Sequence, residues 1–122
     1  MRLKYLEFDY SEDAQGWATL DAMASGIGPQ VAAIHAEIVD VLTWAHAAFA
    51  SQRRPLDEGG TWDFDLQGQQ DYTAYEALDF DERSGCLSAY AHRAGEPRHT
   101  ITLSLAARPE FVAALRERFD LT

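Results

Sequence analysis

Histidines, a lone cysteine and two runs of carboxylates are the side chains in this sequence that could do chemistry. His35 and His46 are eleven residues apart. On a helix that is three turns, or about 16 Å along the axis, too far for one metal ion. His92 and His99 flank a predicted turn and could face each other across a hairpin. Zinc would accept such a pair but needs a third ligand, and none stands nearby in the sequence. Cys86 follows a glycine at the start of a predicted strand. A nucleophilic thiol needs a histidine or cation beside it, which here would have to come from another strand. The commoner role of a lone cysteine is that of a small buried hydrophobe. Ser84, Ser88 and Ser104 lie in no Gly-x-Ser-x-Gly context. Gly26-Ile27-Gly28-Pro29 precedes a helix, but its proline removes an N–H that a phosphate loop would use.

The carboxylates form two runs. Asp63, Asp65, Gln67, Gly68 and Asp71 occupy positions one, three, five, six and nine of a segment that resembles the start of a calcium-binding EF-hand loop. That loop requires a bidentate glutamate at position twelve, because calcium takes six to eight oxygens. Position twelve is Ala74, and the flanks read as strands. The expectation is therefore a two-faced strand with solvated aspartates. Asp79-Phe80-Asp81-Glu82 is the second run. If the third and fourth strands pair, the two runs approach each other, and close carboxylates raise one another's pKa or capture a hard cation. Strand parity is not fixed by sequence, so the expected role is a solvated sheet face or an edge guarded by like charge. No catalytic, cofactor-binding or metal-binding residue is assigned, and no cofactor is expected.

The elements that must position these groups read as follows. Residues 3–10 make a first strand, 11–16 a turn, and 17–24 a partner strand. Gly28-Pro29 opens a long helix, with proline at the position where a missing N–H costs nothing. Val31, Ile34, Ile38, Leu42, Ala45 and Phe49 recur at the helical period. Residues 51–60 have loop composition and are the least ordered stretch expected. Trp62, Phe64 and Leu66 alternate with Asp63, Asp65 and Gln67, the clearest strand in the chain. Three further strands follow at 72–81, 86–93 and 98–105, the first two joined through Gly85, which is free to take positive φ. Arg108-Pro109-Glu110 starts a last helix with Phe111, Val112, Leu115 and Phe119 as its stripe. The fold class is α+β: a mostly antiparallel sheet of about six strands in the order ββαββββα, with one long helix and a C-terminal helix packed on one face. Residues 1–122 make a single domain.

Composition limits the partners. The chain has 122 residues, 47% hydrophobic, with 10 basic and 20 acidic side chains and a net charge of −10. Such a surface repels a phosphate backbone and an anionic membrane, so neither nucleic acid nor membrane is expected. One cysteine allows no intramolecular disulfide, in keeping with a reducing compartment. The first ten residues lack the apolar core of a signal peptide. Residues 27–50 carry His35, Glu37, Asp40 and His46, a poor membrane span. A cytoplasmic location is expected.

Trp44 is out of place. It falls across the long helix from Val31, Ile38 and Leu42, on a side shared with Ala33, Glu37, Asp40 and Ala47. It either lies under another element or anchors a partner, a role in which tryptophan is enriched. The leading functional expectation is a noncatalytic protein-interaction module, self-association included, meeting its partner through Trp44 or the acidic strand residues Asp63, Asp65, Asp79 and Asp81. One form of it captures a basic target by charge. The alternative is a small-molecule-binding protein or enzyme. Its cleft would lie between helix and sheet among Trp17, Trp62, Tyr75 and Tyr90, with His35, His92 or a carboxylate as polar group. The reading leans away from catalysis.

Overall fold

The structure, a computed structural model, describes residues 2–121. Its elements run β1 (Phe8–Glu12), β2 (Ala18–Gly26), α1 (Pro29–Ala48), β3 (Trp62–Asp71), β4 (Glu76–Asp81), β5 (Cys86–Ala91), β6 (Arg98–Ala107) and α2 (Pro109–Phe119). This is the α+β order ββαββββα with every strand pair antiparallel. The six strands divide. β1-β2-β6-β3 form a four-stranded sheet, and β4-β5 form a two-stranded ribbon.

Alternation decides which side of the sheet is covered. Ala18, Leu20, Ala22 and Ala24 of β2 and Ile101, Leu103, Leu105 and Ala107 of β6 are buried beneath the helices. Thr19, Asp21, Met23 and Ser25 point to the other face, as do Thr100, Thr102 and Ser104. The alanines on β2 leave room for α1, whose buried residues are Ile34, Ile38, Val41 and Ala45. Each large side chain buried in this way contributes about 1.5–3 kcal/mol. The buried stripe centres on Val41, where the expected stripe ran through Leu42. Trp44 lies only about 60° from Val41 at 3.6 residues per turn, and this brings it inward. Its ring packs against Phe49, Phe111 and Phe119 at centroid distances of 6.0, 5.5 and 5.7 Å. α2 thus covers the tryptophan that looked misplaced.

Residues 72–75 and 92–93, expected within strands, lie outside them, and two further segments differ more. Residues 3–7 are not a strand. The N–H groups of Lys4, Tyr5 and Leu6 donate instead to the Glu37 carboxylate of α1 at 2.8–3.1 Å. Residues 51–60 are pinned rather than loose. Arg108 donates from Nε to the Gly60 carbonyl (2.7 Å) and from Nη2 to that of Leu56 (3.0 Å), and Leu56 is buried. Gly60 is required by close approach, since a Cβ there would meet the Arg54 carbonyl oxygen at 1.9 Å.

The ribbon is the distal part of one long hairpin. β3 and β6 pair from Trp62↔Ala107 to Asp71↔Arg98, and β4 and β5 from Glu76↔Ala91 to Asp81↔Cys86. Between them the outgoing chain uses residues 72–75 and the return chain residues 92–97, two more. Only the N–H groups of Gly95 and His92 bridge this gap, to the carbonyls of Thr73 (3.1 Å) and Tyr75 (2.9 Å). Extra residues on one strand break the ladder and bend it, and Pro97 has no N–H to give. At the far end Gly85 takes φ 69°, as its place in the turn requires.

Candidate functional site

The ribbon is an arm with an apolar face and no core beneath it. Directly opposed residues of an antiparallel pair share a face. Phe80 therefore stands beside Leu87, Leu78 beside Ala89, and Glu76 beside Ala91. The reverse face carries Ala77 with Tyr90, Asp79 with Ser88, and Asp81 with Cys86. Every residue of β4 and β5 is exposed. Leu78, Phe80 and Leu87 are 61%, 60% and 64% accessible. Isolated apolar side chains on a surface are ordinary, and a contiguous exposed set is a candidate contact surface. A lone two-stranded hairpin is also marginally stable in water.

An apolar cleft lies on the body of the domain, between α1 and β3. It has a volume of about 470 Å³ and is lined by His35, Ile38, Val39, Leu66, Gln67, Gly68 and Ile101. Val39 and Leu66 are exposed. Gly68 sits opposite Ile101 in mid-strand, and a Cβ built on it would touch nothing within 4 Å. A glycine inside a strand, beside open space, marks a place where another backbone or ligand can come close. A second cleft, of about 580 Å³, lies between the N-terminal segment and α2, with Arg2, Lys4, Glu7, Arg116 and Asp120 among its lining residues. At its rim the Tyr10 hydroxyl donates to Glu12 (2.8 Å). That hydrogen bond, with some burial and the nearby Glu12 charge, raises the Tyr10 pKa.

The residues singled out from the sequence fall in separate places. His35 lines the α1–β3 cleft. Trp62 is fully buried, stacked on Phe111 at 5.3 Å and 12°. Tyr90 and His92 are on the arm side, their rings in edge contact at 5.3 Å. These four are not brought together. Tyr75 is exposed at the root of the arm, and Trp17 carries the Arg108 guanidinium over its ring. Trp44 is half-buried between the helices.

The four aspartates also separate. β3 pairs with β6 and β4 with β5, so the third and fourth strands do not adjoin. Asp63 accepts from Arg53 Nε at 2.9 Å, and Asp65 from Gln67 at 2.8 Å, both on the uncovered face of the sheet. Asp79 and Asp81 lie on the reverse face of the arm. His99 is paired with Gln70 and Gly26 rather than facing His92. Cys86 is exposed near the arm's tip. Among the described residues no group of three or more His, Cys, Asp and Glu could hold a metal ion. No helix among them is long and apolar enough to cross a membrane.

The sequence did not single out the exposure of Leu78, Phe80, Leu87, Val39 and Leu66, nor the open space beside Gly68. On the body of the domain the signal available was Gly68 inside an otherwise regular strand. Comparison of the chain with protein-family models, with curated proteins and with solved structures finds no match in any of the three.

Proposed function

We propose that the protein is a noncatalytic interaction module whose contact element is the β4–β5 arm. The observation that carries this reading is the exposed apolar face of Leu78, Phe80 and Leu87 on a ribbon with no core of its own. A module that meets its partner this way hides the face in the complex and gives the ribbon the second layer it lacks.

The test is the double variant Leu78→Asp/Leu87→Asp, compared with wild type by sedimentation velocity and by affinity capture from cell extract. Both residues are off the core, so the melting temperature should move by no more than about 3 °C. Association, whether with itself or with a captured protein, should be lost. Unchanged association would contradict the reading, and so would collapse of the fold. Salt separates two versions of it. Capture of a basic target through the 20 acidic side chains weakens as ionic strength rises. Contact through the apolar arm does not.

The small-molecule alternative draws its support from the N-terminal cleft. Its size of about 580 Å³ falls in the ligand-pocket range, and basic and acidic side chains stand at its walls. Stabilisation of the fold by a small-molecule library, lost in Arg116→Ala, would favour it.

A further inference from the structure

We infer that the arm's partner is a second copy of this chain, and that each arm lies in the α1–β3 cleft of the other copy, forming a two-fold dimer. The inference rests on the reading of the arm as contact element and names what it contacts.

Three observations point to a second copy. First, one chain carries both an apolar projection and an apolar recess. A two-fold exchange covers both arms and both clefts at once with no surface left over. Second, the recess is shaped to receive something. Gly68 leaves open space above the strand, walled by Val39 and Ile38 of α1 and floored by Leu66 and Ile101. A side chain of Phe80's or Leu87's size fits a cleft of about 470 Å³. Third, the area reaches what a specific contact needs. Leu78, Phe80 and Leu87 of the arm, each about three-fifths exposed, with Val39 and Leu66 of the cleft, offer on the order of 500 Å² per copy. Two copies then bury about 1,000 Å², the lower bound for a specific interface.

The chemistry of the contact is apolar packing, opposed by charge. Each copy carries −10, so the dimer should tighten as salt screens the repulsion. The uncovered sheet face, rich in Thr, Ser, Asp and Gln, stays in water on both copies.

The experiment is sedimentation velocity on the full chain across a concentration series, with three further proteins. Leu78→Asp/Leu87→Asp removes the arm's apolar face. Gly68→Val narrows the cleft, at a site where an added Cβ meets nothing of the chain's own within 4 Å. Val39→Asp places a charge in the cleft wall on an exposed helix position. Wild type should dimerise in the micromolar range or tighter. The arm variant and each cleft variant should dissociate at least about 100-fold more readily, because a charge or a narrowed recess must be accommodated at the contact centre. An equimolar mixture of the arm variant and the Gly68→Val variant should re-form a dimer, since one intact arm then meets one intact cleft.

Three results overturn the inference. If the cleft variants dimerise as wild type does while the arm variant does not, the arm meets another surface. If the mixture stays monomeric when both components are folded, arm and cleft are not mates. If wild type is monomeric throughout, the partner is not a second copy. In that last case capture from extract decides the broader reading: partners lost with the arm variant keep the arm as contact element, and partners retained remove it as well.

Discussion

Replacing Trp62 with alanine lowers the unfolding free energy by about 3–5 kcal/mol and the melting temperature by about 15 °C. The side chain has no accessible surface. It stacks on Phe111 at 5.3 Å and 12° and on Phe64 at 5.9 Å and 16°, with the His46 ring edge-on at 4.9 Å. Its Nε1–H donates to the Phe49 carbonyl at the end of α1 (3.4 Å). One residue therefore joins β3, the C-terminal end of α1 and the start of α2. Truncation leaves a cavity that those three elements cannot close without moving together. Total stability for a domain of this size is about 5–15 kcal/mol, so the loss is between about a fifth and the whole of it. Urea denaturation with an unchanged m-value measures the loss. A loss below about 1 kcal/mol would mean that the helix–sheet interface is open rather than packed, and would revive a cleft lined by Trp62.

Glu37→Ala should cost about 2–3 kcal/mol and free the N-terminal segment. The Glu37 carboxylate accepts from three consecutive backbone N–H groups, those of Lys4, Tyr5 and Leu6. A charged acceptor makes stronger hydrogen bonds than a neutral one. Deleting it leaves partly buried donors without a partner. Leu6 is buried in the core, so the loss is transmitted to the sheet through the chain that carries it. Glu37→Gln keeps the shape but offers one neutral acceptor and an NH₂ facing donors, and should lose about half as much. Amide exchange at Lys4, Tyr5 and Leu6 gives the direct readout. Protection of these amides in Glu37→Ala equal to wild type would contradict the clasp.

Legibility in the sequence followed the range of the interactions. β6 was readable because one covered face and one solvated face impose alternation along Arg98–Ala107, and β3 because Trp62, Phe64 and Leu66 alternate in type with Asp63, Asp65 and Gln67, although its distal half is exposed on both faces. The α2 stripe was readable because all four of its buried residues, Phe111, Val112, Leu115 and Phe119, lie on one face with a helix start before them. On α1 the period was clear and its phase was not. Choosing Leu42 over Val41 rotated the stripe enough to put Trp44 on the wrong side, and only the presence of α2 above Trp44 explains its position. Residues 3–7 looked like a strand because Tyr5 and Phe8 favour one. Their N–H groups go to Glu37, more than thirty residues away, and no local pattern records that. The arm was hidden for a different reason. β4 and β5 alternate as any half-buried pair would, and nothing local says that the second layer is missing. The mismatch between residues 72–75 and 92–97, with Gly95 and Pro97 in the longer run, was the available clue.

The most direct test of the arm as contact element is amide hydrogen exchange on β4 and β5, measured in the isolated dilute chain and again in the assembled state, by raised concentration or with a captured partner. A ribbon without a covering layer opens with little free-energy cost. In the dilute chain the arm amides should therefore exchange within about tenfold of an unstructured peptide, while Leu20, Leu103 and Leu105 stay protected. On assembly, protection should appear in Leu78–Phe80 and Leu87–Ala89 and leave the core amides unchanged. Arm amides as protected as β6 in the dilute chain, or unprotected in every assembled state, would contradict the account.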